Sequence, residues 1–540
     1  MLLTEDKLVN WIESKNGLLI TRSKCNEKQY NFDNINSPQY ACITGYSVII
    51  NHFFTHLIRF FRKGVVLIII ESDIIRLSKN MLDHINLIHC FTWNKPFQHS
   101  KLSSLPIGLN YNRQYKVMEK WLENKPKIDH KKMLCMNCSL QTDPTRKQLQ
   151  EHAITHWHTF CDFLDFVAPS FYYVIPSFIE GQIGIQVTNS KCYDLWNNYC
   201  FVLSPRGAGL DCHRTWEALA IGVIPIMLSS SIDDLFYDLP VLIVESWSMI
   251  NKEFLQTQYE KIHKKILENQ YNMEKLTLNY WTKIIQKSLK ITRPKIHFIT
   301  YGNKLFEESK KRLLKEAQNF NEFDTITAYG PEDIIENIHL DGYSKDFHNV
   351  FGMKRGGGYW VWRHIIINKT IENMENNDFL VYLDAGSTLN NNGKIRFYEY
   401  LQLLHSSSTG ILSFQMHDHL EKYWTTKEIF DVMKEDINGT HANSGQLLGG
   451  ILVMQKNPQL LEYMKRYSSI IKQHPLLVTD MFNEKQTHDG FQENRHEQSI
   501  TSILRKQMNT LIINRDESWK PPFGQGESLK YPFWATRFRK

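Results

Sequence analysis

The residues best equipped for chemistry stand together near the middle of the chain. Ser204-Pro-Arg206-Gly207-Ala-Gly209 follows the apolar run Phe201-Val-Leu203 and leads into Asp211-Cys-His213-Arg214-Thr-Trp-Glu217. Two glycines allow a ligand to approach the backbone where a Cβ would obstruct it. Arg206 can hold a phosphate with two parallel N–H groups. Asp211 suits a helix N-cap, and a helix starting there would offer unpaired N–H groups and a positive dipole end to an anion. Glu217, one turn beyond Arg214, could accept hydrogen bonds from ribose hydroxyls. Gly222 stops the helix before a second strand, Val223 to Met227. Strand, glycine-bearing loop, helix and strand thus offer a seat for a diphosphate. An ordinary βαβ unit with a structural Arg–Glu pair would show the same spacing.

A second constellation lies downstream. Asp378-Phe-Leu-Val-Tyr-Leu-Asp384-Ala-Gly386 reads as a buried strand ending in a carboxylate and a tight turn. Open α/β sheets bind ligands at that edge. Three glycines, Gly356 to Gly358, precede the aromatic residues Tyr359, Trp360 and Trp362, which read as wall residues able to stack on a base or sugar. Gln446 to Met454 and Asn494-Arg-His496-Glu497-Gln-Ser499 follow.

Ser204-Pro-Arg-Gly, His213-Arg-Thr-Trp-Glu-Ala-Leu and Gly222-Val-Ile-Pro-Ile, in this order, resemble the nucleotide-sugar half of exostosin-like glycosyltransferases, which have the GT-B fold. In that family an arginine following the strand at Lys132 to Asn137 often faces the phosphates, which adds Arg146 to the candidates. Most of residues 295 to 515 resembles GT-A glycosyltransferases, in which a strand-end Asp-x-Asp holds a divalent metal against the diphosphate. This chain has Asp384-Ala-Gly386 and lacks the second Asp. The resemblance implies Mn²⁺ or Mg²⁺ held by Asp384, the diphosphate and His496, and no required metal in the first module. It also implies an acidic residue near the acceptor, for which Glu497 and Asp480 compete, removing the hydroxyl proton.

The expected fold class is therefore α/β: a GT-B-like double Rossmann module followed by a GT-A-like module with a mostly parallel sheet. Residues 1–185 would form the first lobe, 186–290 the nucleotide-sugar lobe and 291–540 the GT-A-like domain, with Thr292-Arg-Pro at the last boundary. The expected activity is bifunctional sugar transfer from nucleotide-sugar donors to a glycan or glycoconjugate acceptor. The alternative is one catalytic module beside a nucleotide- or carbohydrate-binding one, the missing Asp marking the C-terminal module as the binder.

Elements that must position these residues are legible in the pattern. Tyr40 to Ile50, Val65 to Ile70, Asn86 to Thr92 and Lys132 to Asn137 read as strands, and Ser104 to Asn110 as a strand end and turn. Asp143 and Pro144 start a helix. Leu255 to Gln286 reads as one long helical stretch. His152, His156 and His158 read as a helix-surface cluster lacking an acidic or thiol partner, and Cys135-Met-Asn-Cys138 is a lone pair, not a zinc site.

At 540 residues the chain exceeds one core, and 42% hydrophobic with 22% charged residues is a globular composition. A net charge of +6 without a clustered basic face argues against a nucleic-acid partner. All nine cysteines lie at or before Cys212, which suits reduced thiols rather than a disulfide framework. No signal peptide is read at the polar start around Glu5 and Asp6, and the longest apolar run, Val65 to Ile70, is far short of a membrane span. A soluble, cytoplasmic protein is expected. The wealth of Asn, Lys and Ile suits an AT-rich coding genome, microbial or of a large DNA virus, the host cytoplasm being the compartment for a virus.

Overall fold

Six consecutive aliphatic residues, Val65–Ile70, are buried throughout, as a parallel strand covered on both faces must be. They form the centre of the first of four sheets in the computed structural model, which describes residues 2–21, 39–44, 47–109, 114–124, 130–163, 189–337, 342–407 and 409–539. The chain divides into two compact units, Met1–Arg293 and Pro294–Lys540. The fold class is α/β with predominantly parallel sheets.

The first unit holds two five-stranded sheets. One comprises β1 (Leu18–Ile20), β2 (Gln39–Thr44), β3 (Val65–Ile70), β4 (Leu87–Thr92) and β5 (Leu102–Ser104), all parallel and in chain order. The other comprises β6 (Lys132–Met136), β7 (Cys161–Phe163), β8 (Tyr199–Leu203), β9 (Ile224–Leu228) and β10 (Leu242–Val244), in the order β10-β9-β8-β6-β7 and again all parallel. One apolar cluster runs from Ile12, Val66, Ile68 and Trp93 to Trp216, Leu219, Phe236 and Trp281, so both sheets share a core.

Three expectations are corrected here. The lobe boundary placed after residue 185 falls outside the described residues and does not separate the sheets, because β6 and β7 precede it and pair with β8 in the second sheet. The strand read over Tyr40 to Ile50 stops at Thr44, and Ser47–His52 is helical, burying Ile49 and Ile50. The single helix read over Leu255 to Gln286 is two helices. Lys252–Leu267 packs on the second sheet, and Leu278–Ser288 inserts Trp281 and Ile285 into the shared core.

The second unit is built on β11 (Ile296–Tyr301), β12 (Thr325–Tyr329), β13 (Phe379–Leu383), β15 (Ile411–Leu420), β16 (Gly445–Leu447), β17 (Ile451–Gln455) and β18 (Leu511–Ile513). Their order is β12-β11-β13-β17-β15-β16, with β18 beside β15. The β12-β11-β13 part is parallel, whereas β17 runs antiparallel to both β13 and β15, and β16 runs antiparallel to β15. The sheet is thus half antiparallel rather than mostly parallel. A two-stranded ribbon pairs β14 (Thr388–Leu389) with β19 (Phe533–Trp534). Among the described residues no helix is long and apolar enough to cross a membrane.

In both units strand order reverses beside a central strand. The loops after β6 and β8 diverge in the first unit, and those after β11 and β13 diverge in the second. Such a switch point opens a crevice at the C-terminal strand ends. Arg146 and the 204–212 loop follow β6 and β8, and Asp384 follows β13, so these candidates lie at the two switch points.

Candidate functional site

At the first crevice, Asp143 caps the helix Pro144–His156, accepting from the Thr145 N–H at 2.9 Å, with Pro144 in the first turn. This cap aims Arg146 beneath the 204–212 loop. Arg146 is buried, and its guanidinium donates to the carbonyls of Arg206 (2.8 Å), Pro205 (3.0 Å) and Ser139 (3.0 Å) and to Thr142 Oγ1 (3.2 Å). It staples the two loops flanking the crevice and has no N–H left aimed at a phosphate, contrary to its expected role. Arg206 is half-exposed; it donates to the Gly207 and Ala208 carbonyls and pairs with Asp143 across the crevice at 3.5 Å. A Cβ on Gly207 would stand 3.3 Å from Arg146, and one on Gly209 would stand 2.6 Å from the Asn94 amide. Gly209 therefore makes room for the neighbouring sheet's loop rather than for a ligand.

Asp211 does not cap the next helix. The N-cap of His213–Ile221 is Cys212, and Asp211 turns away to accept from Ile107 N–H, Cys212 N–H and Trp216 Nε1–H at 2.8–3.0 Å. Its own N–H donates to Asn94 Oδ1. Burial pushes its carboxyl up to about 7 despite those donors. His213 donates from Nδ1 to the Gly108 carbonyl at 2.8 Å, and burial lowers its pKa. Gly222 ends the helix in a left-handed conformation, φ 92°.

Arg214 and Glu217 are different. Both are buried, and among the described residues neither has a hydrogen-bond partner; Arg214 Nε and Glu217 Oε1 are sealed from solvent. Burial raises the Glu217 carboxyl to about 7, with the charge of Arg214 pulling the other way. A buried carboxyl without a hydrogen-bond partner is costly in a native interior.

The second crevice is open. A cavity of about 700 Å³ sits between the ends of β11 and β13, walled by Tyr301, Phe306, Trp360, Trp362 and Phe538. Tyr301 and Trp362 stack at 3.6 Å. Asp384 follows β13 and lines this cavity. Tyr382, two residues back on the same strand face, donates to Asp384 Oδ1 at 2.5 Å, and Arg363 donates to the same oxygen at 3.1 Å. Among the described residues Asp384 Oδ2 has no partner, and Gly450 stands opposite it with no side chain; a Cβ there would lie 2.6 Å from it. The backbone supports this register, Asp384 N–H donating to the Gly450 carbonyl at 2.9 Å.

Glu497 is not at the cavity surface. It is 2% exposed, one oxygen paired with Arg363 and the other accepting from Tyr467 at 2.6 Å. Burial opposes the charge of Arg363, but Glu497, Tyr382 and Asp384 outweigh it and hold the guanidinium protonated well above its usual range. Glu497 thus anchors Arg363 and cannot reach an acceptor hydroxyl. Asp480 lies outside the cavity lining, bound by Arg355 and by Tyr359, each at 2.8 Å. His496 is buried against Trp360 and donates from Nδ1 to the Val478 carbonyl; burial and then Arg355 lower its pKa. It takes no part in the cavity wall, so it is no co-ligand of Asp384. Among the described residues no cluster of three His, Cys, Asp or Glu side chains could hold a metal, His152, His156 and His158 included.

Residues the sequence reading passed over complete the wall. Lys354 and Arg355 stand before a run of five residues, Gly356 to Trp360, all with φ between 50° and 98°. Left-handed Tyr359 and Trp360 cost about 1 kcal/mol each, strain of the kind found where a loop is held for function. From the other side the 533–539 segment is tied down, Thr536 Oγ1 and Phe538 N–H donating to the Gly386 carbonyl and Ser309 donating to that of Phe538. It brings Arg537 and Arg539 to the cavity.

No protein-family model and no curated protein matches the chain. Among solved structures it is similar to a glycosyltransferase involved in the glycosylation of the major capsid of PBCV-1, at 15% identity and a TM-score of 0.26, over 45% of this chain and 94% of that one. It is also similar to the galactosyltransferase LgtC in complex with donor and acceptor sugar analogs, at 11% identity and a TM-score of 0.21, over 40% of this chain and 73% of that one. Likenesses this slight carry no assignment.

Proposed function

We propose that the protein is a glycosyltransferase whose second unit, read as GT-A-like, binds a nucleotide-sugar in the cavity between β11 and β13. One observation carries this: the cavity is lined by four cationic side chains and aromatic walls, with Asp384 its lining carboxylate. Aromatic faces suit a base or sugar, and the cations suit a diphosphate. In the reaction an acceptor hydroxyl oxygen bonds to the anomeric carbon as the bond to the diphosphate breaks. The electron pair leaves with the diphosphate, stabilised by the fixed cations. The hydroxyl proton passes to Asp384, whose free oxygen is held toward the cavity by Arg363 and Tyr382. The acceptor is a glycan or glycoconjugate.

The first unit, read as GT-B-like, is a second nucleotide-sugar site on this proposal, and transfer there would make the protein bifunctional. Unpartnered Arg214 and Glu217 support nucleotide binding, whereas the stapled loop above Arg146 favours the alternative in which this unit binds without transferring. The test is thermal shift and donor hydrolysis with UDP-, GDP-, dTDP- and CMP-sugars. A donor at one hundred times its Kd adds about 2.7 kcal/mol of stability. Absence of any shift or released sugar across the panel would end the proposal.

A further inference from the structure

A nucleoside diphosphate brings several negative charges into a cavity, and something must balance them. Resting on the reading of the β11–β13 cavity as a donor site, we propose that Lys354, Arg355, Arg537 and Arg539 supply that balance, so that donor binding in the second unit needs no divalent cation.

The GT-A resemblance implies a metal, and the side chains present do not fit one. Mg²⁺ or Mn²⁺ at a diphosphate takes about six oxygen ligands, from water, the phosphates and one or two carboxylates with an oxygen free to coordinate. The wall offers one carboxylate, Asp384, and one of its two oxygens is already committed to Arg363 and Tyr382. Arg363 is a fully buried, firmly held cation 3.1 Å from that carboxylate, so the local charge a metal would seek is largely cancelled. Position 386, where a second acidic residue would stand, is Gly386, with the Arg537 backbone 3.2 Å from where its Cβ would be. A side chain there would press on the segment that carries the cations.

The four cations come from opposite walls and have charge to spare. Arg355 is shared with Asp480 and Glu493, but Lys354, Arg537 and Arg539 form no ion pair among the described residues. Arg537 lies over the Trp519 ring at 5.1 Å, which positions it without neutralising it. Crowding of like charge is felt nearby: after burial, Arg537 and Arg355 both help lower the pKa of Arg495. Mutual repulsion of this kind is relieved by an anionic ligand.

Calorimetric titration of the full chain with UDP, GDP and dTDP, each in excess EDTA and each in MnCl2, tests this. One binding component should keep its Kd within about threefold between the two conditions, and Arg537→Ala/Arg539→Ala should weaken that component about tenfold or more. Arg537→Lys/Arg539→Lys should recover most of the loss, and unliganded Tm should not move because both side chains are exposed. A component that the double alanine variant weakens but that appears only with Mn²⁺ overturns the metal-free proposal while leaving the donor site standing. Binding untouched by the double variant overturns the role of the arginines. Failure of every nucleotide in both conditions removes the donor-site reading and this proposal together.

Discussion

The two switch-point crevices are made alike and finished differently. In the first, Arg146 and the Arg206–Asp143 pair knit the flanking loops together, and one carboxylate, Glu217, is left buried without a partner. In the second, the buried charges are matched within the wall, Arg363 between Glu497 and Asp384, and the unmatched charge is displayed on the cavity surface. The lesson is that an arginine or glutamate beside a binding crevice reads as ligand or as scaffold according to where its second partner is. Matched buried pairs build walls; unmatched groups await something.

Substitutions should separate these cases. The largest effect is expected for Glu497→Ala, which strands Arg363 and should cost about 3–5 kcal/mol of unfolding free energy in urea melts. A catalytic glutamate would instead lose turnover with stability unchanged. Next, Glu217→Gln should stabilise the unliganded first unit by on the order of 3 kcal/mol above pH 7. The Glu217 carboxyl is raised to about 7 when folded, so its contribution is full below its unfolded value and is lost as pH rises through 7. The gain should therefore vanish in melts at acid pH; a loss on substitution that grows as pH rises would mean Glu217 is ionised and paired.

Asp384→Asn should lower kcat about 100-fold, since it keeps the shape and loses the proton acceptor, and should lower Tm less than Glu497→Ala does, since it removes the more exposed of the two charges matched to Arg363. Equal turnover would move the base elsewhere. Asp143→Ala removes both a helix cap and the partner of Arg206, and a loss of about 1 kcal/mol is expected in thermal melts. Arg206→Ala alone should cost under about 0.5 kcal/mol, its pair being half-exposed. A larger loss would make that pair part of the scaffold.

What the sequence disclosed follows from how local each signal is. β3, β8 and β13 are continuous apolar runs, the Asp143-Pro144 start and the Gly222 stop are local backbone chemistry, and all were legible. Sheet membership was not: β6 and β7 look like more of the first lobe, and only pairing with β8 places them elsewhere. Ser47–His52 has β-branched residues yet folds as a helix because its apolar face packs on the first sheet. At the second site Asp384 was visible as a strand-end carboxylate, but Glu497, Asp480 and His496 came from the resemblance to GT-A enzymes, which says nothing of which side of a helix or loop faces the cavity. Two signals were there to be used. Tyr382 sits two residues before Asp384 on the same strand face, and Arg537 and Arg539 alternate along an irregular segment as side chains sharing one side would.

Gly450 shows how little separates an open site from a closed one. A methyl group at that position would stand 2.6 Å from Asp384 Oδ2 and fill the spot that the proposed acceptor hydroxyl would use. The chain would then carry its own permanent competitor, and no concentration of substrate could displace it.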